Sequence, residues 1–259
     1  MTVSLYHLEF FLLILVRISG FMVAAPIFSL RNIPMRVKAL LAIAIAILLF
    51  HTVPYAEVEY ATTIEYALVV ISEMLAGVIM GFMANVAYYI LAFAGQVIDQ
   101  EIGFSMVNLY DPITSAQVTV TGNLYTYAVM LMLFVTNMHQ YLIRALTDSF
   151  LVLPVGTVSL DSGIYLLMKR FMVDYFVLGF RIVLPVFASM LVVNTVLAVL
   201  ARVAPQMNMF VIGLQLKVFV GLAVLVLMVM MITGVSDLIF REMMSMLKES
   251  IPYLGGTGG

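Results

Sequence analysis

The acidic and histidine side chains are the first candidates for catalysis, and their spacing does not favour it. Asp99 and Glu101 could be imagined as an acid pair, but side chains at positions i and i+2 of a helix diverge. His7, His51 and His139 lie far apart, and the sequence has neither an H-E-x-x-H zinc motif nor a G-x-x-x-x-G-K-[ST] phosphate loop. The stretch "GFSMV" lacks the second Gly of a G-x-S-x-G elbow. The sequence therefore predicts no enzyme, no metal site and no cofactor.

Four charged residues inside apolar runs need a different explanation: Arg17, Glu73, Arg181 and Lys217. A charge at the centre of a helix in lipid costs about 3 kcal/mol on insertion scales, so each should face protein, a partner or water. One interpretation is that these residues line a transport path or a contact between subunits. The other is that their side chains snorkel to the membrane surface or form structural ion pairs. Arg17 and Glu73 are the best pair to suspect, because they have opposite signs and lie well inside their runs.

The composition identifies the class of protein that must position these charges. The 259 residues are 64% hydrophobic, against roughly 45–50% in soluble domains, and the mean hydropathy is +1.15. We therefore expect an integral membrane protein that contacts lipid. A net charge of -2 provides no basic face for nucleic acid. The first apolar run follows "MTVSLYHLE", which has no Lys or Arg, so we expect it to remain in the mature chain.

Apolar runs long enough to cross a bilayer predict an all-α, polytopic membrane fold of helical hairpins with about six apolar helices. Several runs exceed one crossing, which indicates tilt or a place in a helical multi-subunit assembly. The last two are expected to form a hairpin turned at Ala204, Pro205 and Gln206, with Asn208 as N-cap. The predicted runs are 8–30, 39–56, 64–98, 124–137 continuing past Asn137, 163–201 and 207–247.

Two further patterns concern packing and orientation. Gly77 and Gly81, four residues apart in "AGVIMG", predict close backbone approach between helices. The 21 Met residues are interpreted either as ordinary packing or as adaptable side chains that seal variable surfaces. The positive-inside rule predicts that the basic turn with Arg31, Arg36 and Lys38 is cytoplasmic. It predicts that the acidic loop with Glu57 and Glu59 is external, and the charges later in the chain indicate no orientation.

Several stretches in chain order resemble the FliR family of flagellar biosynthetic proteins, the R subunits of the flagellar type III secretion export gate. They are "RISGFMVAAPIFSLRNIPMRVKALLA", "AGQVIDQEIGFSMVNLYDP", "NMHQYLIRALTDSFLVLPVG" and "NTVLAVLARVAPQMNMFVIGLQL". The A-P-Q-x-N-x-F-V-I-G element from Ala204 to Gly213 is the most specific of them. The resemblance covers residues 10 to 225 and agrees with the length and the missing catalytic set.

This resemblance implies a subunit of a protein-conducting channel for unfolded flagellar proteins. It implies hetero-oligomeric assembly with the flagellar P and Q subunits, and with the switch-type export component B. Residues 1–160 would be the P-like part and residues 161–259 the Q-like helical hairpin and C-terminal helix. The expected location is the flagellar basal body in the bacterial inner membrane, with much of the protein on the periplasmic side.

The resemblance also gives a role to residues 103–122, which are too polar for a span and too apolar for a solvated loop. In the family a loop at this position projects into the pore and plugs it. Gly residues at its ends permit hinges, an Asp-Pro pair sets a turn, and the apolar side chains can pack against a ring. The plug residues are Gly103, Phe104, Ser105, Met106, Leu109, Tyr110, Asp111, Pro112 and Gly122. The alternative is an interfacial connector without a gating role.

Two other functions remain open from the sequence. The chain could be a self-contained polytopic transporter in which Arg17, Glu73 and Arg181 serve as substrate or proton sites. It could also be an assembly scaffold. A gate subunit should depend on P and Q partners for stability, whereas a transporter should be monodisperse alone and a scaffold should still export without the 103–122 segment.

Overall fold

A computed structural model describes residues 5–29, 33–55, 58, 60–105, 119–159 and 163–255. These ranges are helical and hold no β-strand, apart from an isolated parallel bridge between Ser159 and Gly255. The predicted all-α class is confirmed. The named helices are α1 (Leu5–Ala24), α2 (Met35–Thr52), α3 (Thr63–Ile102), α4 (Val120–Val135), α5 (Met138–Val152), α6 (Gly163–Val203), α7 (Met209–Val229) and α8 (Ile232–Tyr253).

The length and apolarity of these helices agree with the expected membrane class. Five helices (α1, α2, α3, α6 and α7) are long and apolar enough to cross a bilayer, and α4 with α5 would count as a sixth. Helix α3 has 40 residues and α6 has 41, so each is about 60 Å long at 1.5 Å per residue. A bilayer core is about 30 Å thick. The prediction of helices longer than one crossing is therefore confirmed.

Two predicted runs are interrupted where the sequence suggested continuity. The run that was expected to continue past Asn137 breaks there, because Asn137 has φ of 58° and Asn tolerates this left-handed conformation. The run 207–247 breaks at Met230 and Met231, whose amides bond the carbonyls of Leu227 and Met228 in tight i to i+3 turns. Neither methionine is a helix breaker, so no local pattern in the sequence marks this break.

The predicted hairpin turn lies between α6 and α7. Ala204 donates to the carbonyl of Leu200 at 2.8 Å, and Met207 donates to the carbonyl of Ala204 at 3.1 Å. Pro205 and Gln206 are exposed at the tip. These residues fall between the end of α6 at Val203 and the start of α7 at Met209. Asn208 occupies the N-cap position of α7, as predicted, and its side chain makes no capping hydrogen bond.

The described helices pack as two compact units, referred to here as unit 1 and unit 2. Unit 1 comprises residues 1–87, 136–172 and 240–259, and unit 2 comprises residues 88–135 and 173–239. This division reflects packing within the chain. The predicted boundary at residue 160 concerns likeness to two partner subunits, so it stays a prediction.

Candidate functional site

The two opposite charges suspected from the sequence meet in the core of unit 1. Arg17 of α1 and Glu73 of α3 are fully buried. The Arg17 Nε lies 2.5 Å from Glu73 Oε2, and Arg17 Nη2 lies 3.0 Å from Glu73 Oε1. This is a bidentate guanidinium–carboxylate pair, a strong and geometrically specific form of ion pair. Residues 56 positions apart in sequence therefore cancel each other's charge inside the protein.

The remaining polar atoms of the pair bind the turn that follows α5. Arg17 Nη1 donates to the carbonyl oxygen of Leu153 at 2.9 Å. The amide of Gly156 donates to Glu73 Oε1 at 2.7 Å. The ring of Phe150 lies under the guanidinium, with its centroid 4.3 Å from Arg17 Cζ, in cation–π geometry. We call this set of Arg17, Glu73, Phe150, Leu153 and Gly156 the polar clamp, because it joins α1, α3 and the end of α5.

Glycines bring α1 and α3 close enough for this pairing. A Cβ on Gly77 would lie 2.0 Å from the backbone oxygen of Arg17, and a Cβ on Gly81 would lie 2.7 Å from the backbone oxygen of Phe21. The opposite side of the crossing is also tight, since a Cβ on Gly20 would lie 2.6 Å from the Met74 oxygen. Close backbone approach at Gly77 and Gly81 is confirmed.

The clamp is a closed structural network rather than an exposed chemical site. All three guanidinium nitrogens of Arg17 have partners, and both oxygens of Glu73 are occupied. A buried ion pair is tolerated only when hydrogen bonds satisfy its remaining donors and acceptors. Neither side chain is free to bind a solute while this network is intact.

The ends of the 103–122 segment lie in unit 2. Gly103 follows α3 with φ of 97°, a left-handed conformation that favours glycine, and its amide donates to the Asp99 carbonyl at 3.1 Å. Phe104 and Ser105 are half-buried, and Gly122 is buried near the start of α4. The predicted plug residues Met106, Leu109, Tyr110, Asp111 and Pro112 lie outside the described residues.

Both ends of this segment pack closely on neighbouring helices. A Cβ on Gly95 would lie 2.1 Å from Cα of Gly122, so the backbones of α3 and α4 touch there. A Cβ on Gly103 would meet the side chain of Leu214 in α7 at 3.0 Å. The chain thus leaves α3 and enters α4 at positions that allow no larger residue without displacement. We call Gly95, Gly103, Gly122 and Leu214 the loop frame.

A family model described as "Bacterial export proteins, family 1" matches residues 8–243, which is most of the chain. This chain belongs to the bacterial export proteins, family 1. The flagellar biosynthetic protein FliR of Bacillus subtilis (strain 168) is 32% identical over 253 residues, 95% of either chain. FliR of Escherichia coli (strain K12) is 29% identical over 240 residues, 93% of this chain and 92% of that one.

The relatives of this export protein extend beyond flagella. The Yop proteins translocation protein T of Yersinia pestis is 26% identical over 209 residues, 78% of this chain and 77% of that protein. The resemblance stated from the sequence is confirmed. The chain is a membrane-embedded flagellar component and a subunit of a type III protein export apparatus, which works with other components of that apparatus.

The other two charged residues within apolar runs, Arg181 and Lys217, lie in different surroundings from Arg17 and Glu73. Arg181 in α6 is exposed on the chain, and no ion pair of it occurs among the described residues. Lys217 in α7 is half-buried and lines a cavity of about 300 Å³ in unit 2 together with Glu101 and Asn194. Neither is buried in the chain as Arg17 and Glu73 are.

The turn at residues 153–156 is the part of the clamp that sequence reasoning missed. Its backbone supplies the Leu153 oxygen and the Gly156 amide, and backbone groups are present at every position. The only local signal is "LVLPVG", in which Pro154 and Gly156 indicate a turn. In the ranges that the structure describes, no three His, Cys, Asp or Glu side chains are grouped so that they could hold a metal ion.

Proposed function

We propose that this chain helps to form, and at rest plugs, the channel through which unfolded flagellar proteins leave the cytoplasm. The observation that supports this best is the loop frame. It holds both ends of the 103–122 segment against α3, α4 and α7, with a left-handed glycine at the first end. A plug needs such an anchored base, because a segment with loose ends would not return to one position.

The composition of the segment suits closure by apolar packing. Phe104, Met106, Leu109 and Tyr110 can pack against an apolar ring, while Ser105 and the other polar residues keep the segment soluble when it is displaced. Met adapts to irregular surroundings, which a seal that opens and closes requires. A connector without a gating role would need neither the apolar side chains nor the fixed ends.

The partners of the proposed channel are the flagellar P and Q subunits and the switch-type export component B. Large apolar side chains on the chain's surface support a place in an assembly or in lipid: Phe219 of α7 is 74% exposed and Met230 is 78% exposed. The proposed site is the flagellar basal body in the bacterial inner membrane. Helices of about 60 Å fit a protein that stands partly on the periplasmic side, packed on partners.

The two rival functions have less support. A self-contained transporter would need Arg17 and Glu73 as substrate or proton sites, but these residues satisfy each other and the turn after α5. The relatives are export proteins, which does not favour that alternative. An assembly scaffold remains the more useful contrast, because it predicts a different result for loss of the segment.

The proposal is tested by loosening the segment in cells. Deleting residues Met106 to Ser115, or changing Phe104 and Met106 both to Ser, removes about 2–5 kcal/mol of apolar contact by large-to-small estimates. Each 1.4 kcal/mol changes a closed-to-open ratio tenfold. We expect an assembled complex that leaks ions or small solutes at rest at least tenfold faster. Solute leakage and copurification of the P and Q subunits are measured in the same cells.

The matched control keeps apolar side chains at the same two positions. Phe104 and Met106 are both replaced by Leu, which preserves apolar packing, and this complex should remain sealed. An assembled and fully sealed gate in the segment variants would contradict the plug and place the seal in another subunit. Normal export together with a normal seal after the deletion would favour the scaffold.

A further inference from the structure

Asp99 is a buried carboxylate that the ion pairs of the chain leave unexplained. It lies on α3 and is 5% exposed, and among the described residues no cation forms a salt bridge with it. Both of its oxygens face one donor, the backbone amide of Thr121, at 3.1 and 3.3 Å. A buried charge is costly unless it is paired or hydrogen-bonded, so this contact must offset its desolvation.

Thr121 is the second residue of α4, and its amide is one of the helix's first donors. The first four amides of an α-helix have no partner inside the helix. The positive end of the helix dipole also favours a negative charge at this place. Asp99 therefore caps α4 from another helix, 22 residues earlier in the chain.

The cap belongs to one face of α3. Gly95 and Asp99 are four residues apart in α3, so they lie on the same side of the helix, and Gly103 follows the helix four residues later. Gly95 touches Gly122, Asp99 binds Thr121, and Gly103 begins the segment. The exit and the return of the chain thus fall within about 12 Å along α3, eight residues at 1.5 Å each.

We propose that Asp99 is a positioning residue for export: it caps α4 from α3 and fixes where the chain returns from the 103–122 segment. Glycine contact alone sets how near the helices come, but it has no directional bond that fixes their register. The carboxylate supplies that bond. Its consequence for the resting channel rests on the proposed function of the segment, whereas the cap itself stands on the contacts of Asp99.

The test removes the bond from either side. Asp99→Ala deletes the acceptor, and Thr121→Pro deletes the donor while Pro remains tolerated in the first turn of a helix. Thr121→Val is the matched control, because the buried Thr121 hydroxyl has no hydrogen-bond partner among the described residues and the amide is kept. Asp99→Asn keeps an acceptor oxygen in nearly the same shape and should rescue much of the effect.

Hydrogen–deuterium exchange is measured in the purified export complex, for peptides that cover the start of α4, and solute leakage is measured in cells. We expect Asp99→Ala and Thr121→Pro to speed exchange in these peptides by about tenfold or more, and to raise the resting leak. Near-parental exchange and leakage in Asp99→Asn and Thr121→Val would distinguish a positioning bond from a general loss of packing.

Unchanged exchange in Asp99→Ala would overturn the cap, whatever the segment does. Faster exchange with a sealed channel would overturn the role of Asp99 in export, provided that the deletion of Met106 to Ser115 does leak. If that deletion also leaves an assembled channel sealed, the plug itself fails, while the cap is judged by the exchange data alone.

Discussion

The two units of this export protein bury acidic side chains by different means. In unit 1, Glu73 faces the guanidinium of Arg17, and backbone groups of a distant turn complete the network. In unit 2, Asp99 has no opposite charge within ion-pair distance among the described residues and faces the first turn of α4. When one member of a buried ion pair is removed, the other charge stays buried without compensation. A helix terminus carries only a partial charge, which water or another group can satisfy.

The largest expected effect tests this difference directly. Glu73→Gln leaves the Arg17 charge buried without its counter-charge, and breaking such a pair costs about 3–5 kcal/mol. Asp99→Asn keeps an acceptor and removes a charge, so its cost should be near 1 kcal/mol. The free energy of unfolding of the chain in the purified export complex, measured by denaturant titration, checks both values.

A double variant sharpens the same comparison. Arg17→Met with Glu73→Leu replaces both charges by apolar groups and should recover part of the stability lost in Glu73→Gln, because no uncompensated charge remains although the Leu153 carbonyl and the Gly156 amide lose their partners. Equal stability of Glu73→Gln and Asp99→Asn would contradict the distinction between the two units. It would mean that the clamp holds unit 1 no more strongly than the helix cap holds unit 2.

The second prediction compares the glycine crossings of the two units. Gly77→Ala would place a Cβ 2.0 Å from the Arg17 oxygen, and Gly95→Ala would place one 2.1 Å from Gly122 Cα. Backbone atoms cannot move aside as a flexible side chain can, so each change should cost about 1–3 kcal/mol. Because the Gly77 contact also carries the clamp, its variant should be the less stable in thermal unfolding.

Gly234 provides the matched control for these two substitutions. It lies in α8, and a Cβ there would meet nothing within 4 Å. Gly234→Ala should raise stability by about 0.4–1 kcal/mol, because alanine loses less chain entropy in a helix. Destabilisation by Gly234→Ala of the same size as at Gly77 would show that backbone contact does not explain the series.

The smallest effect concerns a carboxylate near the surface of unit 1. The Tyr60 hydroxyl donates to Glu9 Oε1 at 2.7 Å, and this hydrogen bond is the main cause that raises the pKa of Tyr60 from 10.0 to about 12. The folded state therefore holds the phenol proton more tightly than the unfolded state does. The stability from this bond should be complete below pH 10 and lost as the pH rises to about 12.

Tyr60→Phe should remove this part of the pH dependence and should lower the stability at neutral pH, where the bond to Glu9 is intact in the parent. Unfolding is followed between pH 9 and pH 12 for the parent and the variant. Tyr165→Phe, at a side chain that is 69% exposed, serves as the control and should keep the parent profile. A parental profile in Tyr60→Phe would show that the Glu9 contact is not maintained in solution.

Most of the fold followed from composition, and the partners of individual residues did not. A 64% hydrophobic chain with apolar runs must form membrane helices, and the runs 64–98 and 163–201 correspond to α3 and α6. Gly77 and Gly81 indicated a close crossing, but nothing in "AGVIMG" names α1 as the neighbour. Asp99 was considered as a catalytic acid, because a sequence shows the carboxyl group and not the amide that faces it.

The sequence by itself determined which residues would need a partner once they were buried in the fold, since charge, size and hydropathy are properties of side chains. Only the tertiary structure decided which partner each of them has. Arg17 meets Glu73 across 56 residues, the clamp is completed by backbone atoms of Leu153 and Gly156, and α7 ends at a methionine pair with no breaking residue. These outcomes depend on distances between segments far apart in the chain, and packing sets those distances through many weak contacts at once.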